Sequence, residues 1–249
     1  MKKILKKEVI IAFIVGIILA SSIAVYAYSY AAKDIGYTKP GENTPIDVET
    51  ALNDLYSKLN STEYQKLNYI QSDGTQYIDT GVKIKENSIV KMHFKSVSNS
   101  GNYALYGANN GNAYDKGEFA CFWNNGVYEV VMPSSNTKSS VVTRPQYNAN
   151  TEYNIEQSFN QFKVNETIYN VSGASTYQGD RNLYIFGVNR GNSACCGTYQ
   201  LYGMEIYEGE TKVREFKPCF RKSDCAVGLY DEVTKTFFEN SGTGTFKIG

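Results

Sequence analysis

From about residue 68 onward the chain alternates apolar and polar positions in short runs. These are TQYIDTGVKI, SIVKMHF, NYALYGA, EFACFWN, GVYEVVM, YNIEQSF, QFKVNETIYNV, NLYIFGV, TYQLYGMEIYE, KVREFKP and AVGLYDE. A period of two sends successive side chains to opposite faces of a strand, so each run predicts a strand with one buried face. Glycine, asparagine or serine clusters separate most of the runs, and many short strands at such spacing predict an all-β sandwich or barrel. No stretch after Asn60 keeps a helical period, which disfavours a parallel α/β architecture. The β domain is expected over 63–249.

Two different segments precede it. Met1–Lys7 carries four lysines, and no charged residue follows from Val9 to Ala32, a run long enough to span a hydrocarbon core of about 30 Å. Lysines ahead of an apolar run keep the N-terminus in the cytoplasm and send the rest across. The expectation is a transmembrane signal-anchor over 1–32 with everything beyond it outside the cell membrane. The small residues around Val25-Tyr26-Ala27 offer a signal peptidase a cleavage point, in which case the domain is secreted. The linker 33–62 begins with Gly36, Pro40, Gly41 and Pro45, a turning or extended start. Asp47 then caps a short amphipathic helix whose stripe is Val48, Leu52, Leu55 and Leu59 and which ends near Asn60.

Composition narrows the class of partner. The 25 basic residues equal the 25 acidic ones, so no net field draws a phosphate backbone, and nucleic acid is not an expected partner. The 21 tyrosines and 21 glycines against 5 prolines suit strands joined by polar turns.

Particular residues carry a family resemblance. Asp73-Gly74-Thr75-Gln76-Tyr77-Ile78-Asp79-Thr80-Gly81, then Val213-Arg214-Glu215-Phe216-Lys217-Pro218-Cys219 with Gly228-Leu229-Tyr230-Asp231, and the final Asn240-Ser241-Gly242-Thr243-Gly244-Thr245-Phe246 resemble the opening and closing strands of the concanavalin A-like, laminin-G-like jelly-roll modules of Gram-positive surface and phage-associated proteins. The resemblance covers about residues 66 to 249 and implies a two-sheet antiparallel jelly roll. It also implies a binding or adhesion role toward a glycan or a cell-surface protein, since such modules include carbohydrate binders, protein binders and domains of no known ligand.

The wider superfamily contains glucanases, whose paired glutamates on one strand act as nucleophile and general acid. The nearest match, Glu205-Ile206-Tyr207-Glu208-Gly209-Glu210, lacks the central aspartate, and its spacing reads as a hairpin turn between Tyr202–Tyr207 and Lys212–Phe216. The single histidine, His93, sits in an alternating strand, so neither a histidine-based zinc cluster nor a nucleophilic triad can be drawn. No catalysis, no resident metal and no cofactor are expected; a structural or protein-binding surface component is the first alternative to a glycan-binding module and an atypical glycoside hydrolase the second. The five cysteines include Cys219 and Cys225, which enclose a short loop and are the first candidates for a disulfide. Cys121 with Cys195 or Cys196 is the second candidate pairing, and all-free thiols the alternative.

One internal echo points to a ligand site. Leu105-Tyr106-Gly107-Ala108-Asn109-Asn110-Gly111-Asn112-Ala113 is matched by Ile185-Phe186-Gly187-Val188-Asn189-Arg190-Gly191-Asn192-Ser193. If the two strands are neighbours, both loops share a rim where Asn109, Asn112, Asn189, Arg190 and Asn192 meet sugar hydroxyls, with Trp123 and Tyr128 as a stacking surface. The alternative is that Gly-Asn turns serve only to connect strands and that the lone tryptophan is core. Calcium is a variant of the same idea, supported only by Asp115 and Asp180 near the loops.

Overall fold

The structure, a computed structural model, describes residues 15, 36–37, 46–61, 63–98, 100–111, 117–146, 148–191 and 196–249. The expected membrane segment therefore lies outside the described residues except for Val15, as do Asn112, Asp115, Asn192 and Cys195. Among the described residues no helix is long and apolar enough to cross a membrane. The chain divides into two compact units, Met1–Thr62 and Glu63–Gly249.

In the first unit a two-residue pairing of β1 (Gly36–Tyr37) with β2 (Ile46–Asp47) leads into helix α1 (Val48–Ser61). Asp47 is its N-cap. One carboxylate oxygen accepts the Thr50 backbone N–H at 2.7 Å and the other the Thr50 hydroxyl at 2.9 Å, satisfying a donor that the first helical turn leaves without a partner.

The second unit is a sandwich of two antiparallel sheets. The smaller runs in the order β10 (Lys138–Gln146), β9 (Val127–Ser135), β8 (Phe119–Asn124), β7 (Asn102–Ala108), β14 (Gln178–Ile185) and β5 (Ile78–Lys85). A short β15 (Val188–Asn189) lies parallel to β7. The larger runs β13 (Thr167–Asn170), β12 (Gln161–Val164), β11 (Glu152–Gln157), β6 (Ser88–Ser96), β16 (Tyr199–Glu208), β17 (Thr211–Arg221), β18 (Val227–Asp231) and β19 (Thr236–Phe238). Beside it β3 (Tyr64–Lys66) pairs with β17, and β4 (Ile70–Gln71) joins β16 to β20 (Lys247–Ile248).

Alternation decides which face is inside. On β6 every second residue, Val90, Met92 and Phe94, is buried, while Lys91, His93 and Lys95 face outward; β11 and β12 repeat the pattern with Tyr153, Ile155, Phe162 and Val164 inside. The interior is densely aromatic. Phe94 meets Trp123, Tyr128 and Tyr199 edge-on at centroid distances of 6.3, 6.3 and 5.7 Å, an arrangement favoured by the ring quadrupoles. Several polar ties cross between the sheets; in two of them Tyr106 donates to the Gln157 side-chain oxygen at 2.8 Å and Tyr199 donates to the Leu105 carbonyl at 2.6 Å. Both residues of the first tie are fully buried, where an unsatisfied polar group would cost roughly 1–3 kcal/mol.

Two departures from the expected strands have local causes. QFKVNETIYNV is a hairpin rather than one run, because Asn165 takes a positive φ of 50° and reverses the chain between β12 and β13, a conformation asparagine tolerates better than most residues. The edge strand β10, KSSVVTRPQ, escapes the alternation pattern because it has serines and a proline where a central strand would carry apolar residues.

Candidate functional site

The twin loops do sit side by side. Asn189 pairs with Ala108, Val188 with Gly107, and the Asn109 N–H donates to the Asn189 carbonyl at 2.9 Å. Their polar side chains, however, are turned to holding the loops. Asn109 is fully buried; its Nδ2 donates to Glu118 at 2.8 Å and its Oδ1 accepts the Gly111 N–H at 2.7 Å. Asn189 repeats the motif, its Oδ1 accepting the Gly191 N–H at 3.1 Å and its Nδ2 donating to the Asn182 carbonyl at 3.0 Å. These asparagine turns explain the sequence echo, since a side-chain carbonyl that caps a backbone N–H two residues on shapes the same turn wherever it recurs.

Arg190 is likewise committed. Its Nε and Nη2 grip the two Glu118 oxygens at 3.0 and 3.1 Å, and the guanidinium lies 5.9 Å from the Phe122 ring centroid. The Arg190 side chain is 19% exposed and that of Glu118 is 0% exposed. Glu118 is therefore a third acidic residue at these loops, missed because a glutamate at the start of the EFACFWN run reads as a solvated strand end. Its charge is matched by an arginine. Among the described residues no group of three His, Cys, Asp or Glu side chains is placed to hold a metal ion.

The expected aromatic surface is corrected. Trp123 and Tyr128 are both 0% exposed, meet edge-on at 5.2 Å inside the sandwich, and the indole Nε1 donates to the Ser98 carbonyl at 3.1 Å. Both lie on inward-facing positions of β8 and β9, so they fill the core and offer a ligand no face. The cysteine pairing is corrected too. Cys219 and Cys225 are free thiols, the first buried and the second exposed. Cys219 faces Gly228 in the β17–β18 register, which leaves Cys225 beyond the last paired rung at the hairpin tip. Burial pushes the Cys219 thiol up to about 11. Cys121 is a free, fully buried thiol as well, so the second pairing is also not formed.

An open groove lies elsewhere, on the outward face of the larger sheet. It encloses about 330 Å³, and its lining includes Lys91, His93, Asn154, Lys163, Tyr202 and Glu205. Cross-strand register builds it. One row runs Lys163, Glu156, Lys91, Glu205, Glu215 across β12, β11, β6, β16 and β17. The next row along the strands holds Asn154, His93 and Gly203. Gly203 supplies no side chain and Asn154 only a short one, so this second row is a trough beside the first row's wall.

A bulge on β16 is what sets Tyr202 at the trough. His93 pairs with Gly203 and Phe94 with Leu201, which leaves Tyr202 as the extra residue and aims it outward. At the same point the other neighbour of β16 changes from β4 to β17. Tyr202 stacks on His93 with centroids 4.7 Å apart, and His93 in turn contacts Glu152 at 3.1 Å. Partial burial, together with the Glu152 carboxylate, pushes the Tyr202 phenol up to about 12, so it stays a neutral donor at physiological pH.

The charged wall is internally balanced. Lys91 pairs with Glu156 at 3.3 Å, and Lys212 holds Glu205 at 2.9 Å and Glu215 at 2.8 Å. Burial alone would raise the Glu205 carboxyl, but the Lys212 ammonium and the Tyr207 hydroxyl outweigh it and hold the group below its ordinary value. The two carboxylates raise Lys212 in return. Glu208, the other half of the glucanase-like stretch, pairs with Lys85 at 2.7 Å. An ionised, lysine-held Glu205 is the opposite of a general acid, which needs a raised pKa.

The signal for this groove was present in the sequence. Inward positions 199 and 201 followed by 204 and 206 show one extra residue in the alternation of β16, the mark of a bulge.

No protein-family model matches the sequence, and neither does any curated protein. Among solved structures, a candidate carbohydrate-binding protein from Bacteroides ovatus superposes with a TM-score of 0.51 at 10% identity, over 74% of this chain and 60% of that one. The CBM40 module of a Ruminococcus gnavus IT-sialidase gives 0.44 at 13% identity, over 59% of this chain and 90% of its own. Mouse laminin α1 domains LG4-5 give 0.45 at 11%, over 73% and 46%. The likeness to the Bacteroides protein is one of fold, a two-sheet β-sandwich, and the chain spans about three fifths of that protein's length.

Proposed function

We propose that residues 63–249 form a non-catalytic, laminin-G-like jelly-roll module that binds carbohydrate in the groove on the outward face of its larger sheet. The observation that carries this reading is the trough itself. An open recess of about 330 Å³ combines a planar Tyr202–His93 pair with amide, ammonium and carboxylate groups held in fixed positions by neighbouring strands. Ligand sites of this kind pair an apolar or aromatic surface with a few convergent polar groups, and a sugar presents both an apolar ring face and hydroxyls. The fold shared with a candidate carbohydrate-binding protein is compatible with the reading. The lysine-flanked, charge-free stretch before Ala32 supports display of the module from a membrane, on the outer side.

The test is a glycan-array screen of the purified full-length chain in detergent, with Tyr202→Ala as the site variant and Trp123→Phe as a core control. We expect selective binding that falls about ten-fold in Tyr202→Ala and persists in Trp123→Phe. No binding across a broad array would overturn the carbohydrate reading and favour a protein-binding role for the same face.

A further inference from the structure

One end of the groove has a charge balance different from the rest. Each carboxylate in the lining has a lysine: Glu156 has Lys91 at 3.3 Å and Glu205 has Lys212 at 2.9 Å. Lys163, which faces Glu156 across β11 and β12, is half-buried and has no ion-pair partner among the described residues. It lines the groove together with Asn154 and Asn165.

The orientation of Asn165 follows from its hydrogen bonds. Its Oδ1 accepts the Asn154 backbone N–H at 3.0 Å, and its own N–H donates to the Asn154 carbonyl at 2.8 Å. With the side-chain carbonyl used by the backbone, the amide NH2 is the end left for a ligand, and an NH2 only donates. Asn154 adds an exposed side-chain amide from the neighbouring strand. A lysine and two amides therefore converge at the β11–β12 end, away from the Lys212-clasped carboxylates on β16 and β17. Such a donor-rich corner suits an oxyanion, and a cation would meet the unpartnered ammonium.

We propose that the groove selects acidic saccharides, with the sugar's carboxylate or sulfate at Lys163, Asn154 and Asn165 and its ring over Gly203 beside Tyr202. This rests on the carbohydrate reading of the same groove and adds the ligand's charge and the direction in which it lies. Charge-assisted hydrogen bonds are stronger than neutral ones, so losing the anion costs the ligand about ten-fold or more in affinity. The attraction is half-exposed and weakens as salt rises from 0.05 to 0.5 M, on the order of the range over which the screening length falls below 10 Å.

The test is calorimetric titration of the full-length chain in detergent with three probes: trigalacturonic acid, sialyllactose and a sulfated lactose. Each is paired with its carboxyl-reduced or desulfated counterpart. We expect at least one acidic probe to bind about ten-fold or more tightly than its neutral counterpart, and which one does so identifies the source of the anion. Lys163→Met is expected to abolish that difference by lowering the acidic form's affinity to that of its neutral counterpart. Lys235→Met, at a turn outside the groove, is expected to leave both unchanged.

Equal affinity for acidic and neutral forms would overturn the charge selectivity and leave the groove a neutral-sugar site. A preference that survives Lys163→Met in a folded protein would overturn the placement of the anion. Failure of every acidic and neutral form to bind would count against the carbohydrate reading and this inference together.

Discussion

The twin loops and the outer face of the larger sheet are both rich in polar side chains, yet they use them in opposite ways. In the loops Asn109, Asn189 and Arg190 are spent on the protein itself, capping turns and neutralising the buried Glu118. On the sheet face the side chains are held at their stems by strand pairing and their polar ends reach an open recess. The difference follows from the backbone. An irregular loop leaves N–H groups that ladder hydrogen bonds do not satisfy, so its side chains must supply partners. A strand satisfies its backbone through its neighbours, and its outward side chains remain available.

The strongest way to break this comparison is to treat a proposed loop-side ligand residue as a core residue. Trp123→Ala removes the largest fully buried side chain and is expected to cost about 3–5 kcal/mol, measured by urea unfolding. A loss under about 1 kcal/mol, together with lost ligand binding, would return Trp123 to the surface role.

Next in size is Arg190→Ala. It leaves the Glu118 carboxylate, 0% exposed, without its guanidinium, and removing one partner of a buried pair costs about 3–5 kcal/mol. Because Arg190 is itself partly exposed and water can enter after it is gone, we expect about 2–3 kcal/mol. The same variant, where folded, should bind a groove ligand as the wild type does. A stable protein with weakened binding would mean that the loops, and not the sheet face, meet the ligand.

The two regions were also unequally legible. Alternation located most strands of both sheets, because burial on one face of a strand leaves a period of two that local sequence can display. The Asp47 cap was equally local. The echo of the twin loops left open whether they are neighbours, which strand register supplies, and the fate of Asn109 and Arg190 depended on Glu118, 9 and 72 positions away at the entry to β8. Lys163, Asn154, His93 and Tyr202 come from four strands, and only register brings them together. Cys219 and Cys225 are close in sequence, yet the hairpin register sends one thiol inward and leaves the other at the tip.

The smallest expected effect tests whether the contrast is one of region or of burial, since the larger sheet has a buried carboxylate of its own. Asp231 is 0% exposed at the turn between β18 and β19. It accepts the Glu215 N–H at 2.7 Å, the Val233 N–H at 3.1 Å and the Thr234 hydroxyl at 2.6 Å, with Arg214 at 3.5 Å. Burial alone would raise its carboxyl, but these donors outweigh burial and hold it below the ordinary aspartate value. A depressed folded pKa means that the unfolded state binds protons first as pH falls. The contribution is therefore fully present above the unfolded value and is lost as pH drops through the lower folded one. Asp231→Asn should cost about 2 kcal/mol at neutral pH, and the gap to wild type should narrow only below about pH 4. Urea midpoints of both proteins from pH 7 to pH 2.5 measure it. A gap that stays constant to the lowest pH would show that the aspartate acts through shape alone. A narrowing gap would place Asp231 with Glu118 as a structural charge, leaving Glu156 and Glu205, which are partly exposed and lysine-held, as the carboxylates that border the groove.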